Sequence, residues 1–369
     1  MKLVTVIASL VLLGATPVFA QAPDPTGAVA EALQASKTPA IGVAVIRDGA
    51  VDTVTVEGVR RLGGAPVQAA DRWNIGSDAK AMTATMIARL VERGALSWDT
   101  PLEGLLPELV ADMRPEYRDV TLLELLSHRA GLPENISDMT FFATFYEDQR
   151  PLPQQRLAYL RRAVAEAPVG PARGEPSYSN TGLLLAAAAA ERATGKAFET
   201  LMQEEVFAPL GITSATYDQA VGAEEPSGHV DDRVAVRADA NPQMMMPAGG
   251  VRISLADWAR FCLDQMKGER GEGVLLKAGT YKLLHTPQGD TRSALGWGVG
   301  PKALGRAGPA LSHAGSDGNW YAIVVLYPGS LGGVLAVANA GEGMQADKVL
   351  MPLARTLVPL VAPPAPADP

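Results

Sequence analysis

The sequence predicts an α+β fold in which one antiparallel sheet, flanked by helices, is assembled from both ends of the chain around a mostly helical subdomain. Three features point to it: a strand-turn-strand pattern near the N-terminus, helical periodicity through the middle, and strand patterning that returns from Leu311. With 369 residues and 47% hydrophobic composition, the chain can bury one large core or two modest ones.

Taken in order, residues 1–20 read as a secretory signal peptide. Lys2 precedes an apolar run from Leu3 to Leu13, and Val18 and Ala20 supply the small side chains of a cleavage site before Gln21. The apolar stretch is short for a membrane span of roughly 20 residues, although an uncleaved anchor is the other reading. Cleavage after Ala20 places the mature protein in the periplasm or outside the cell, with no stable membrane insertion. Residues 21–26 read as a linker, and the compact domain is expected over 27–360.

Within it, Ile41 to Ile46 and Val51 to Val56 flank the turn signal Asp48-Gly49, which predicts a hairpin at one margin of a sheet. From Ser77 to Arg93, Met82, Met86 and Leu90 recur at four-residue spacing and Gly94 follows, which predicts an amphipathic helix opening at Ser77. Further helical patterns span 122–127, 154–166, 181–193 and 198–207. Strands are expected at 320–327 and 333–339, a closing helix at 347–360, and a disordered proline-rich tail at 361–369. The sheet subdomain is therefore assigned to about 27–75 and 285–360, and the helical subdomain to about 76–284.

Composition excludes some functions. A net charge of −8 from 32 basic and 40 acidic residues offers no basic footprint for nucleic acid. The single cysteine, Cys262, precludes an internal disulfide and reads as a small buried residue. No Gly-x-Ser-x-Gly elbow, His-Glu-x-x-His zinc motif or Gly-Lys-Ser/Thr phosphate loop occurs.

What does occur is Ser77-Asp78-Ala79-Lys80, the only serine with a lysine three residues on. One helical turn places the two side chains on one face, and a desolvated lysine can take a serine proton. Alone, the pattern is a weak signal, and a capping serine followed by a solvated lysine is the better reading of it. Tyr178-Ser179-Asn180 is the only Tyr-x-Asn, at a loop opening a helix. Its tyrosine could relay a proton and its amide could hold a lysine or a substrate carbonyl; packing and capping are the simpler roles. Ser312-His313-Ala314-Gly315-Ser316 precedes the late strands. Gly315 there permits close backbone approach, and the Ser316 amide could join that of Ser77 around an oxyanion.

In this order and at these separations, Ser-x-x-Lys, Tyr-x-Asn and His-x-Gly resemble the serine β-lactamase and penicillin-binding-protein superfamily, in its class C-like branch. Residues 125–132 with His128, the run from Ser179 through Gly195 to Gly211, residues 247–254, Gly296-Trp297-Gly298 and Asn339 extend the resemblance over roughly 27–360. It implies a β-lactamase/transpeptidase-like fold and two-step acyl transfer without metal or organic cofactor. Ser77 would be the nucleophile and Lys80 with Tyr178 the proton relay. Asn180, His313, Gly315 and Ser316 would hold substrate and oxyanion.

Class C β-lactamases carry Lys-Thr-Gly as the third element, whereas His-x-Gly is similar to D-aminopeptidases and esterases. The expected substrates are therefore small molecules or peptides, namely D-amino-acid peptides or small esters, ahead of β-lactams or DD-carboxypeptidase substrates. A catalytically silent scaffold is the reading from another class, which three intact reactive groups disfavour. His128, Met244 to Met246, Trp297 and Trp320 are read as structural.

Overall fold

The computed structural model describes residues 23–169, 173–217, 224–289 and 291–366. The leader expected at 1–20 lies outside the described residues. Helix α1 (Pro25–Gln34) opens where Asp24 accepts hydrogen bonds from the amides of Thr26 and Gly27. The linker expected over 21–26 thus gives way to helix at Pro25: Asp-Pro is a cap followed by a residue whose φ already suits a first turn.

The expected hairpin is β1 (Ala40–Arg47) and β2 (Ala50–Gly58), turning at Asp48 and Gly49, both at positive φ. A two-stranded ribbon joins β3 (Arg72–Asn74) to β4 (Arg252–Ser254). The remaining strands of the main sheet are β5 (Gly298–Gly300), β6 (Ala310–Ser316), β7 (Tyr321–Tyr327) and β8 (Gly332–Ala338). Their order, β2-β1-β8-β7-β6-β5, is antiparallel throughout, and β1 meets β8 with Ile41 opposite Ala338. The segment around His313, expected to precede the late strands, is itself a strand.

The helices that position the site are α2 (Lys80–Glu92), α3 (Leu122–Leu126), α4 (Leu152–Ala163), α5 (Asn180–Thr194), α6 (Phe198–Met202), α7 (Leu255–Gly268), α8 (Ala278–His285) and α9 (Ala346–Leu357). Strand periodicity sorts the sheet between two layers. Ile41, Val43 and Val45 join Ile323, Val334 and Ala336 under α1 and α9, while Ala44, Ile46, Val324 and Leu335 face the larger core with α7 and α2. Gly42 lets α7 close on this second face, because a methyl there would sit 2.8 Å from Leu255 Cδ1. The sheet layer thus reclaims the chain at α7, well before the boundary near 285 suggested by the change in periodicity.

Helix α2 is not amphipathic. Its residues from Lys80 to Ala88 are all buried, and Thr83 and Thr85 satisfy their hydroxyls on the carbonyls of Pro247 and Ala81. Periodicity in methionine and leucine marked one stripe; alanines and threonines, small enough for close packing, fill the rest. The tail also departs from expectation. Val361 and Ala362 are buried, and the chain is tied along 305–307 by bonds from the Ala307 amide to Pro363 O and from the Ala365 amide to Gly305 O. Prolines there offer carbonyls without needing partners for their nitrogens, so a proline-rich segment still docks.

Asn339 closes the sheet end. Its Oδ1 accepts from the buried Ala40 amide (2.8 Å), and its Nδ2 donates to the carbonyls of Val59 and Arg60. Asn339→Leu leaves those backbone groups unsatisfied and is expected to cost about 3 kcal/mol in urea unfolding, with catalytic constants of the folded fraction unchanged.

Candidate active site

The loop after β3 turns through Gly76 at φ +50° into a 3₁₀ turn (Gly76–Ala79), and α2 begins at Lys80. Ser77 therefore sits one turn before the α-helix rather than at its first residue, and its side chain caps nothing. The turn lies directly on β6. A methyl group on Gly76 would sit 2.5 Å from Ser316 N, and one on Gly315 would sit 2.1 Å from Ile75 O and 2.7 Å from Ser77 N. Glycine at both positions lets the backbone of Ser77 lie against that of Ser316. Asn74 holds the turn from behind, its Oδ1 accepting from the Gly76 amide and its Nδ2 donating to Asp317 Oδ2.

The Tyr178–Asn180 loop meets this turn from the other side. Tyr178 donates to Ser77 Oγ at 2.7 Å, and Lys80 Nζ is 2.8 Å from both Ser77 Oγ and Asn180 Oδ1. Lys80 also bonds the Ala248 carbonyl and lies 4.8 Å from the centre of the Tyr178 ring. Ser179, not Asn180, caps α5, accepting from the Gly182 amide while donating to Pro133 O. That division frees the Asn180 amide: Oδ1 faces Lys80 and Nδ2 donates to Asn135. The sequence reading missed Asn135 and the Ala248 carbonyl, and no motif in the sequence singles out either.

His128 braces the loop. It adopts φ +59°, accepts from the Ser179 amide through Nδ1, and stacks on Tyr178 at 4.6 Å between ring centres. Burial, with Lys80 and His313 nearby, pushes it down to about 3, so it stays neutral. Cys262, Met244, Trp297 and Trp320 are all buried, consistent with packing roles.

Lys80 is fully buried, which excludes the solvated reading. Burial lowers it to about 7, against opposing pulls from Glu134 and Asp78. A large fraction is then free amine at neutral pH, able to accept the serine proton. Tyr178 turns its hydroxyl in on Ser77, and burial pushes it up to about 12, so it remains a proton donor. His313 lies on β6 with Nδ1 bonded to Ala314 O, and burial plus the neighbouring Lys80 lowers it to about 4. It brings no fixed positive charge. Ser316 turns its hydroxyl away, donating to Trp320 O, and presents only its backbone to the turn.

These groups open on a cavity of about 380 Å³ that Ser77, Tyr178, Asn180, Gly315 and Ser316 line together with Glu134, Asp317 and Glu342. A second recess of about 290 Å³ shares Tyr178 and Ala314 with it and reaches His313, Trp297 and Arg292. The sequence reading did not single out the three carboxylates, which come from three segments far apart in the chain. No group of His, Cys, Asp and Glu among the described residues is arranged to hold a metal ion.

The sequence profile of the beta-lactamase family matches residues 26–356. The chain belongs to the beta-lactamase family. As a member it is a serine hydrolase of α+β, β-lactamase/transpeptidase-like fold. Penicillin-binding protein 4 of Amycolatopsis lactamdurans is 29% identical over 324 residues, covering 83% of this chain and 81% of that protein. Unguisins hydrolase ungD of Aspergillus violaceofuscus is 26% identical over 353 residues, and this chain spans only 60% of its length. Among solved structures, the D-stereospecific amidohydrolase from Streptomyces sp. superposes with a TM-score of 0.70 over 89% of this chain and 98% of that one; at 23% identity this is likeness of fold.

In this beta-lactamase-family enzyme, a Lys80 that takes the serine proton is expected to set the acid limb of activity. Below about 7 the amine is an ammonium and cannot take the serine proton, so kcat/KM is expected to rise with pH through about 7. Lys80→Met should lower kcat/KM by roughly 10²- to 10⁴-fold; a profile flat across neutrality assigns the base elsewhere. Gly315→Ala should push the Ser77 turn off β6 and cost on the order of 100-fold in kcat, read against an unchanged far-ultraviolet spectrum.

Proposed function

We propose that the enzyme hydrolyses amide or ester bonds of short D-amino-acid peptides or small esters through an acyl-enzyme on Ser77, acting in the periplasm or outside the cell. Lys80 takes the serine proton as Oγ attacks the carbonyl. The amides of Ser77 and Ser316 receive the oxyanion, and Tyr178 passes a proton to the leaving group. Water then attacks the acyl-enzyme by the reverse relay. Since Tyr178 separates the two recesses, the leaving group belongs on the Trp297 side and the acyl part on the Asn180 side. Export rests on the leader-like residues 1–20; no helix of the described residues is long and apolar enough to cross a membrane.

The observation behind the substrate class is the charge of the acyl side. Glu134, Asp317 and Glu342 line it, no lysine or arginine side chain does among the described residues, and His313 is neutral. A free amino group on the acyl part is favoured there, and an anionic one is repelled. Arg292 on the leaving-group side gives a second reading some support, because a guanidinium there suits the terminal carboxylate released by a DD-carboxypeptidase.

A panel of a D-alanyl anilide, its N-acetylated form, a nitrophenyl ester, an acylated D-alanyl-D-alanine peptide and a chromogenic cephalosporin separates these. Turnover of the anilide and the ester is expected, with kcat/KM lowered about tenfold by N-acetylation. Glu134→Gln and Glu342→Gln should narrow that ratio. Efficient hydrolysis of the cephalosporin alone sinks the proposal, and preference for the acylated dipeptide selects the second reading.

A further inference from the structure

One buried acid beside the nucleophile has no part in the relay just described. Asp78 follows Ser77 in the 3₁₀ turn, is 2% exposed, and points beneath the turn toward the sheet. Among the described residues neither of its carboxyl oxygens has a hydrogen-bond partner. Oδ1 is 3.8 Å from His313 Nδ1, and Oδ2 lies so near β6 that a methyl on Gly315 would be 2.8 Å from it. A carboxyl group kept out of water without partners is costly, and an apolar side chain of similar size would avoid the cost. Its place, between the strand that bears His313 and the turn that bears Ser77, is the reason to look for a role.

We propose that Asp78 is a positioning residue for acyl transfer, a neutral carboxylic acid that offers the His313 Nδ1–H an alternative acceptor to Ala314 O and adds no negative charge beside Lys80. The proposal rests on the assignment of Ser77 and Lys80 to catalysis. The titratable groups that face Asp78 are Lys80 on α2, Tyr178 on the loop before α5, Cys262 on α7, His313 on β6 and Tyr321 on β7. Of these only Lys80 becomes a cation near neutrality. Burial drives Asp78 far above the ordinary carboxylate range, and Lys80 only partly offsets this. Were Asp78 ionised, its charge would add to the pull of Glu134 and favour the protonated form of Lys80. A neutral acid leaves Lys80 free to receive the proton from Ser77.

The His313 imidazole gains a second effect. Its Nδ1–H is bonded at 2.9 Å to a carbonyl of its own strand, and a small rotation would pass that bond to Asp78 Oδ1. With a second acceptor beneath the ring, Asp78 would help hold the imidazole at the wall of the leaving-group recess.

The test compares Asp78→Asn and Asp78→Ala in the full chain on the best substrate of the panel, with pH profiles and infrared spectra. Asn keeps shape and neutrality, so it should retain at least half of kcat with the acid limb still near 7. Ala should lose about tenfold or more in kcat with KM little changed. The protonated-carboxyl stretch of the wild type at neutral pH should disappear in Asp78→Asn, a readout that stands even if Asp78→Ala does not fold. An acid limb displaced downward by a unit or more in Asp78→Asn, the absence of that infrared band, or full kcat in Asp78→Ala overturns the proposal. Ser77→Ala assayed in parallel keeps the two readings apart: its retention of activity defeats the nucleophile assignment, whereas its inactivity beside a fully active Asp78→Ala defeats only the role of Asp78.

Discussion

Everything at the site depends on one close approach, that of the 75–77 turn to Gly315 and Ser316 on β6. Two backbones touch there with no side chain between them, since a Cβ on either Gly76 or Gly315 would overlap main-chain atoms of the other. This contact brings a sheet and a central helix, each ordinary by itself, together beside a serine. Asn74, Asp317 and the ribbon of β3 with β4 hold the turn from behind. Preorganised dipoles need such rigidity, because donors that move to meet a developing charge lose much of their advantage.

Burial then supplies the chemistry. The same desolvation acts on Lys80, His128, His313 and Tyr178, and in each case it favours the uncharged form. Of these groups around Ser77, Lys80 is thereby the one that becomes a cation near neutrality, and carboxylates stand at the cavity wall.

Much of this is legible in the sequence, for identifiable reasons. Turn chemistry at Asp48-Gly49 and apolar periodicity around α5 are local signals, and both elements form where those signals lie. Ser77, Lys80, Tyr178, Asn180, His313 and Gly315 were found because their order and separations resemble a known pattern, and the fold brings them within reach of one another. Contacts made by unremarkable residues were not legible. The Ala248 carbonyl on Lys80, Asn135 on Asn180, the three cavity carboxylates and the docked tail each depend on segments far apart in the chain. Helix α2 shows the limit of periodicity: a stripe of large residues marks one face, but only the surroundings reveal that the other faces are also covered.

The pairing of β1 with β8 joins Ile41 to Ala338, near opposite ends of the chain. Non-local pairing of this kind is slow to nucleate, because a long loop must close before any contact rewards it. Since β6 reaches the Ser77 turn through that sheet, the two cannot meet until most of the C-terminal strands have been synthesised and paired. The site around Ser77 is thus incomplete in a nascent or unfolded chain, and its assembly becomes a late step of maturation.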